Sequence, residues 1–447
     1  MRNLVIRGAA LLAVLFPIRL GLGADQFLVH APAASISKIA ARHGFVVVRE
    51  IRKGDMWLIA VPDGRTTRQV ARELSSDQDV SSAERDGRVS VPEVDGGAIL
   101  DQSTAAILDE LKGNEIIPYY GGGVWSAYVK QTASVLTHLA DVQKIPATGL
   151  GIVAIIDTGI DPTHPVLQGS LVPGYDFVRD IPGTASEWSD LDLDTAATLQ
   201  QSAPGLADQP AVVRVNQSTA AILDQSTAAI LDTGRLPAAF GHGTMVAGII
   251  HLVAPTAQIM PLKAFSGSGA ANMSDIVRAI YYATDNGANV INMSFSTTVP
   301  SIELVKAVNY ALKRGVICVA STGNDGLETL VYPAALHNVV GVASSDMKDG
   351  RSAFSNYGPS LAHLSAPGEG IITIYPGGGY AAVSGTSFAA PFVSGGASLL
   401  SQVDEIPGHA ESLMAFCTDE SEKVADMGCG RLDLLQAVKF LMSHEKH

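Results

Sequence analysis

From Gly151 onward, short apolar runs alternate with stretches of helical spacing, and no other property of the chain narrows its fold so far. The runs Gly151–Ile156, Gln258–Ala264, Asn289–Phe295, Val316–Ser321, Asn338–Ala343 and Ile371–Tyr375 are near-continuous strings rich in Val, Ile and Ala. Such strings suit strands that are covered on both faces. Between them, Met245–Leu252, Asp275–Asn286, Ser301–Arg314 and the stretch after Ser387 repeat apolar residues three and four apart, as helices do. The alternation predicts an α/β fold, a mostly parallel sheet with helices on both faces. Ligands of such sheets gather at the carboxyl ends of the strands, so the residues just after each run are the first candidates for chemistry.

A different pattern precedes this region. From Gln26 to Val91 the order reads strand, helix, strand, strand, helix, strand, with turns at Lys53-Gly54-Asp55 and Pro62-Asp63-Gly64. That order predicts a small α+β ferredoxin-like domain. Residues 92–123 are rich in Gly, Asp and Pro and are expected to form an exposed linker open to proteolytic nicking. At the start, Arg2 and Arg7 precede an apolar run, and Gly21, Gly23 and Ala24 follow it, as in a secretory signal over 1–24. Arg19 lies late for a signal and leaves an uncleaved anchor as the alternative, although the run is shorter than the roughly 20 apolar residues that span a bilayer. Domains are therefore expected at 25–91 and 124–447, with export and no stable membrane insertion once the signal is removed.

Charge excludes one class of partner. Thirty basic against 44 acidic residues give −14, without a basic stripe, so nucleic acid is not an expected partner. Three cysteines, Cys318, Cys417 and Cys429, form neither a CxxC pair nor a zinc-spaced cluster with His. An oxidising destination makes a Cys417–Cys429 bond feasible, and the apolar surroundings of Cys318 suit a buried thiol. The octapeptide Gln-Ser-Thr-Ala-Ala-Ile-Leu-Asp occurs at Gln102–Asp109, Gln217–Asp224 and Gln225–Asp232; its composition suits a capped helical turn in a duplicated surface insertion.

Four separated segments carry chemistry. Asp157 follows an apolar strand, where a partly buried carboxylate can fix the tautomer of an imidazole. His242 stands in Phe240-Gly241-His242-Gly243-Thr244 at the start of an apolar helix, whose positive end disfavours the imidazolium and keeps the ring a neutral base. Ser387, in Ser384-Gly385-Thr386-Ser387-Phe388-Ala389-Ala390-Pro391, lies at another helix start, so its own amide can donate to an oxyanion, and Pro391 is expected within the first turn. Asn324 ends a further strand and offers a second oxyanion donor. Each segment alone is common in unrelated loops.

Together, and in the order Asp, His, Asn, Ser, these segments resemble the subtilisin-like serine protease family. The likeness covers about Val124 to the C-terminus. It implies a subtilisin-like catalytic domain in which Asp157 orients, His242 is base and then acid, Ser387 attacks, and Asn324 with the Ser387 amide binds the oxyanion. It implies that the small N-terminal domain is a propeptide, an intramolecular inhibitor removed by a cut between Val91 and Val124. It also implies a substrate cleft edged by Ser268, Gly269 and Ala270 on one side and Ser294, Phe295 and Ser296 on the other. Ala320, Ser321 and Thr322 would line the primary pocket. Polypeptides are the implied substrates, and no cofactor is required for the chemistry.

The chain departs from the pattern in places. Ser296 stands where compact members have Gly, and 85 positions separate Asp157 from His242, with an insertion at about 180–236 holding the tandem octapeptides and an acidic run, Asp190, Asp192 and Asp194. That run is expected to be solvated surface. Val166 stands where calcium-binding members carry an Asp, so no metal ligand is assigned and structural calcium stays open. A non-catalytic binding protein of the same fold, and an N-terminal domain acting in trans on other proteases, are the alternatives to a self-processing endopeptidase.

Overall fold

The computed structural model describes residues 25–92, 115–145, 151–183, 185–201, 213–214, 220–222, 236–400, 417 and 426–444; the expected signal over 1–24 lies outside these. The chain divides into two units after Asp86. In the first, β1 (Asp25–His30), α1 (Ala33–His43), β2 (Val46–Arg52), β3 (Met56–Val61), α2 (Thr67–Ser76) and β4 (Ser82–Arg85) follow the expected order. The sheet order β2-β3-β1-β4 is antiparallel throughout. Alternate residues Phe27, Val29, Ile59 and Val61 meet Ile36, Ile39, Val70 and Leu74 of the two helices in one apolar cluster. Thr66 and Gln69 close a capping box at the start of α2.

The last strand of the sequence reading, Val80–Val91, is split. Only Ser82–Arg85 joins this sheet, whereas β5 (Arg88–Ser90) belongs to the second unit and pairs antiparallel with β14 (Ala270–Asn272). The glycines at 121–123, read as the end of a linker, instead close a hairpin of β6 (Ile116–Tyr119) and β7 (Gly122–Trp125). Tyr120 and Gly121 both have positive φ, the conformation of a tight two-residue hairpin loop. The hairpin is part of the packed unit: Tyr119 donates to the Leu252 carbonyl at 2.6 Å, and Trp125 stacks on Tyr380.

The second unit is built on eight strands in the order β10-β9-β13-β8-β15-β16-β17-β18. They are β8 (Ile152–Asp157), β9 (Gly174–Asp176), β10 (Ile181–Gly183), β13 (Gln258–Lys263), β15 (Val290–Met293), β16 (Ile317–Ser321), β17 (Val340–Ser345) and β18 (Leu364–Pro367). All neighbours are parallel except β9 and β10. Its longest helices are α3 (His242–Val253), α4 (Met273–Asp285), α5 (Ile302–Leu312), α6 (Thr386–Leu400) and α7 (Leu434–His444). Every residue of α3 and α6 is buried, which explains their apolar composition on all sides.

Two expectations about strands need correction. Ile371–Tyr375 forms β19, which leaves the parallel sheet and pairs antiparallel with β20 (Gly379–Val383) in a separate sheet of order β11-β12-β20-β19. The short loop through Pro376, Gly377 and Gly378 turns the chain straight back, which a parallel crossover cannot do. The parallel strand beyond β17, at the edge of the sheet, is instead β18, whose Leu-Ser-Ala-Pro sequence lacks an apolar run. The octapeptide Gln217–Asp224 is not a helical turn at Ala220–Ile222, which forms β12 against β20 beside β11 (Val213–Arg214). An open sheet edge supplies ladder bonds without the nucleation cost of a short helix. The other two octapeptides lie outside the described residues. Cys417 and Cys429 are joined in a disulfide with Cα atoms 5.8 Å apart, and Cys318 is buried and unpaired as a thiol.

Candidate active site

Parallel strand ends bring the candidate residues to one edge of the sheet. Asp157 is the last residue of β8 and is buried, with Oδ1 accepting from the Thr158 amide at 2.7 Å. His242 opens α3, preceded by Gly241 at φ 93°, where the left-handed backbone and the Tyr375 ring leave no room for a side chain. Its Nδ1 lies 2.7 Å from Asp157 Oδ1. With that nitrogen donating to the carboxylate, Nε2 is left as the acceptor.

A second close approach sets this geometry. A Cβ on Gly243 would stand 1.9 Å from the Gly159 carbonyl oxygen and 3.2 Å from Asp157 Oδ1. Gly243→Ala is therefore expected to push α3 away from the end of β8, at a cost of about 1–3 kcal/mol. Because a 1 Å displacement of reacting groups costs roughly 10²-fold in rate, its effect on kcat should be disproportionate to its effect on Tm. Melting and steady-state kinetics on the same preparation check this.

Ser387 is the second residue of α6, fully buried, and its Oγ donates to the Ser294 carbonyl at 3.2 Å. The Phe388 ring lies 5.4 Å from the His242 ring, so the imidazole faces the residue after Ser387. Pro391 is not in the first turn as expected but is the sixth residue of α6, where it leaves the Ser387 carbonyl without its helical donor. Ser294 Oγ takes over that bond at 2.9 Å, itself accepting from Asn292 Nδ2, while Ser394 donates to Asn292 Oδ1. Ser294 thus holds the start of α6 with its side chain, a role that sequence spacing could not reveal.

Asn324 follows β16 and is buried, and its Oδ1 accepts from both the amide and the hydroxyl of Thr386, at 2.9 and 2.8 Å. Those two donors fix the orientation of the side-chain amide, so Nδ2 is turned away from Thr386. Of the remaining candidates, Gly269 and Ala270 lie beside β5: Ala270 is opposite Ser90, and the Val91 amide donates to the Gly269 carbonyl at 2.9 Å. Ser268 is exposed, with its hydroxyl 2.8 Å from that of Ser266. Ser296 bridges to Ser90 from the other side. Arg88–Ser90 therefore lies as an extended strand between the two expected edges. Phe295 is buried against Phe265, and Ala320, Ser321 and Thr322 are fully buried at the end of β16. A cavity of about 310 Å³ has Ser90, Pro92, Ser296, Asn324, Asp325 and Val331 in its lining, and not Ala320, Ser321 or Thr322, which were expected to line the primary pocket.

The acidic run is not a solvated surface throughout. Asp190 pairs with Lys263, the fully buried last residue of β13, and with Arg179. Asp192 caps Thr195, and both Asp192 and Asp194 are exposed. Three residues before Asp190, Glu187 is buried behind Asp157 and was missed by the sequence reading. Burial pushes its carboxyl from 4.5 up to about 7 against the opposing effect of bonds from Thr158 and Thr244. The signal was Lys263: a cation closing an apolar strand needs buried anions near it. Val166, at the position where a calcium ligand is expected, is buried in the apolar cluster and offers no oxygen side chain, so the residues there do not fit the ion.

Comparison with known proteins follows the same lines. Residues 151–429 match the profile of the subtilase family. Thermitase of Thermoactinomyces vulgaris is 33% identical over 302 residues, covering 64% of this chain and 88% of that protein. A thermophilic serine proteinase of Bacillus sp. (strain AK1) is 35% identical over 248 residues, 56% of this chain, which thus spans about half (51%) of that relative's length. The crystal structure of fervidolysin from Fervidobacterium pennivorans, a keratinolytic enzyme related to subtilisin, superposes with a TM-score of 0.62 at 23% identity, over 93% of this chain and 61% of that one. That likeness speaks for the subtilisin-like fold. With a family match over more than half of its length, the chain is a member of the subtilase family.

Proposed function

We propose that the chain is a secreted serine endopeptidase that hydrolyses peptide bonds through an acyl-enzyme and is made as a self-processing zymogen. The observation that carries this reading is the buried 2.7 Å contact between Asp157 Oδ1 and His242 Nδ1, set beside the start of the helix that bears Ser387. Ser387 Oγ attacks the substrate carbonyl while His242 Nε2 takes its proton; the C–N bond then breaks as the imidazolium protonates the leaving amine, and a water repeats the sequence on the ester. Asn324 Nδ2 and the Ser387 amide, which stands at the start of its helix, receive the negative oxygen. Asp157 keeps the ring in the productive tautomer and balances its transient charge. No cofactor takes part.

The seating of Arg88–Ser90 between Ala270–Asn272 and Ser296 supports inhibition by the chain's own N-terminal portion, with the maturation cut within 92–123. Substrates held in the same way would be recognised through main-chain bonds, and many sequences would be accepted. Among the described residues no helix is long and apolar enough to cross a membrane. Export rests on the charged, apolar, small-residue order of residues 1–24. Treatment of the processed protein with a fluorophosphonate, followed by peptide mass mapping, is expected to place one adduct on Ser387. Peptide hydrolysis without labelling, or labelling elsewhere, would overturn the assignment.

A further inference from the structure

Glu187 has a place in the site that the scheme above leaves unused. Its Oε1 accepts from the Thr158 hydroxyl at 2.6 Å and from the Gly243 amide at 3.1 Å, and its Oε2 accepts from the Thr244 hydroxyl at 2.6 Å. Thr158 directly follows Asp157, and Gly243 and Thr244 directly follow His242. One buried carboxylate therefore ties the end of β8 to the first turn of α3, the two elements whose spacing sets the Asp157–His242 contact.

We propose that Glu187 is the positioning residue of this site, holding Asp157 and His242 in register and keeping the Asp157 carboxylate fully available to the imidazole. This rests on the peptidase reading for its consequence, but the clamp itself is geometric. The Thr158 hydroxyl has one hydrogen and stands between two carboxylates, 2.6 Å from Glu187 Oε1 and 3.2 Å from Asp157 Oδ1. Ionised Glu187 takes that hydrogen by the shorter bond. Protonated Glu187 instead donates to the Thr158 oxygen, and the Thr158 hydrogen turns to Asp157 Oδ1. That oxygen already serves the Thr158 amide and His242, so its hold on the imidazole weakens.

A mere structural pin has no need of a charge here. The titratable and charged groups around Glu187 are Asp157 from β8, Asp161 in the loop after β8, Lys263 from β13, Tyr375 from β19, His242 at the start of α3 and Asp190 in its own turn. Lys263 and the helix N-terminus favour the anion; burial and Asp157 oppose it. Because its folded pKa of about 7 lies above the ordinary 4.5, Glu187 contributes stability only at low pH, and this is lost as pH rises to about 7. An ionised group that costs stability, yet joins the two residues of the dyad, fits a functional role.

The test uses the full chain carrying Ser387→Ala, which prevents self-digestion, with and without Glu187→Gln, and follows the His242 ring protons by NMR from pH 5 to 9. Loss of the anion should move the His242 midpoint to lower pH by about one unit and remove a second inflection near pH 7. In the processed enzyme with Ser387 intact, E187Q should lower kcat about tenfold with KM within twofold. Wild-type kcat should fall below pH 7 more steeply than one proton allows, E187Q with unit slope, and E187D should restore the steeper limb. An unmoved His242 midpoint, or equal steepness in wild type and E187Q, would overturn the proposal even if E187Q is less active. If E187Q does not fold, the wild-type protein decides: a single His242 inflection and a unit slope overturn it. Failure of wild type to hydrolyse peptides or to react with a fluorophosphonate would instead refute the peptidase reading, and the NMR result would still judge the clamp.

Discussion

Replacing Ser387 with Ala is expected to lower kcat for peptide hydrolysis by about a millionfold, the loss that removal of the nucleophile causes in subtilisin, and to leave the precursor uncut within 92–123. The loss should be chemical and not structural. The bonds that fix the start of α6 run from Ser294 Oγ to the Ser387 carbonyl and from Thr386 to Asn324 Oδ1, and none of them uses the Ser387 hydroxyl. Melting should therefore shift by only a few degrees, about 1 kcal/mol or less at this chain length. A residual rate should survive, because oxyanion donors and binding alone retain roughly 10³–10⁴ over water. Steady-state rates on a peptide anilide and the mass of the exported product check both halves; normal processing by this variant would contradict the assignment.

Asp157→Asn should cost about 10⁴-fold in kcat near neutrality, while the fold persists. Asp157 Oδ1 accepts from the Thr158 amide and faces His242 Nδ1, both at 2.7 Å. An Asn carbonyl in the place of Oδ1 can keep both bonds, but the neutral amide no longer balances the charge of the imidazolium as it forms. KM should change far less than kcat, since neither group holds substrate. The two constants, measured for wild type and variant between pH 7 and 9, separate this loss from a binding defect.

The parallel sheet was legible because strands covered on both faces must be apolar throughout, and β8, β13, β15, β16 and β17 carry that mark. The candidate site was legible for the same reason: Asp157, Ser294 and Asn324 are recognisable at or just beyond the ends of such runs. What could not be read was set by contacts distant in sequence. β18 is a strand because β17 offers it a ladder, although Leu-Ser-Ala-Pro has no strand signature. Ala220–Ile222 is extended because β20 presents an edge to it. Pro391 sits in the second turn of α6 because Ser294, 97 positions earlier in the chain, satisfies the carbonyl it leaves unpaired. Glu187 was hidden just ahead of an acidic run that reads as solvated, and only the fold brings Lys263, Thr158 and Thr244 around it.

The account's central claim is that Asp157 and Ser387 act as parts of one unit through His242. The direct test is kcat for Ser387→Ala, Asp157→Asn and the double variant, each processed in trans by tagged wild-type enzyme that is then removed. Groups acting as one unit lose their effect together, so the double variant should be no slower than Ser387→Ala alone. A further drop on adding Asp157→Asn, approaching the product of the two single losses, would contradict the claim.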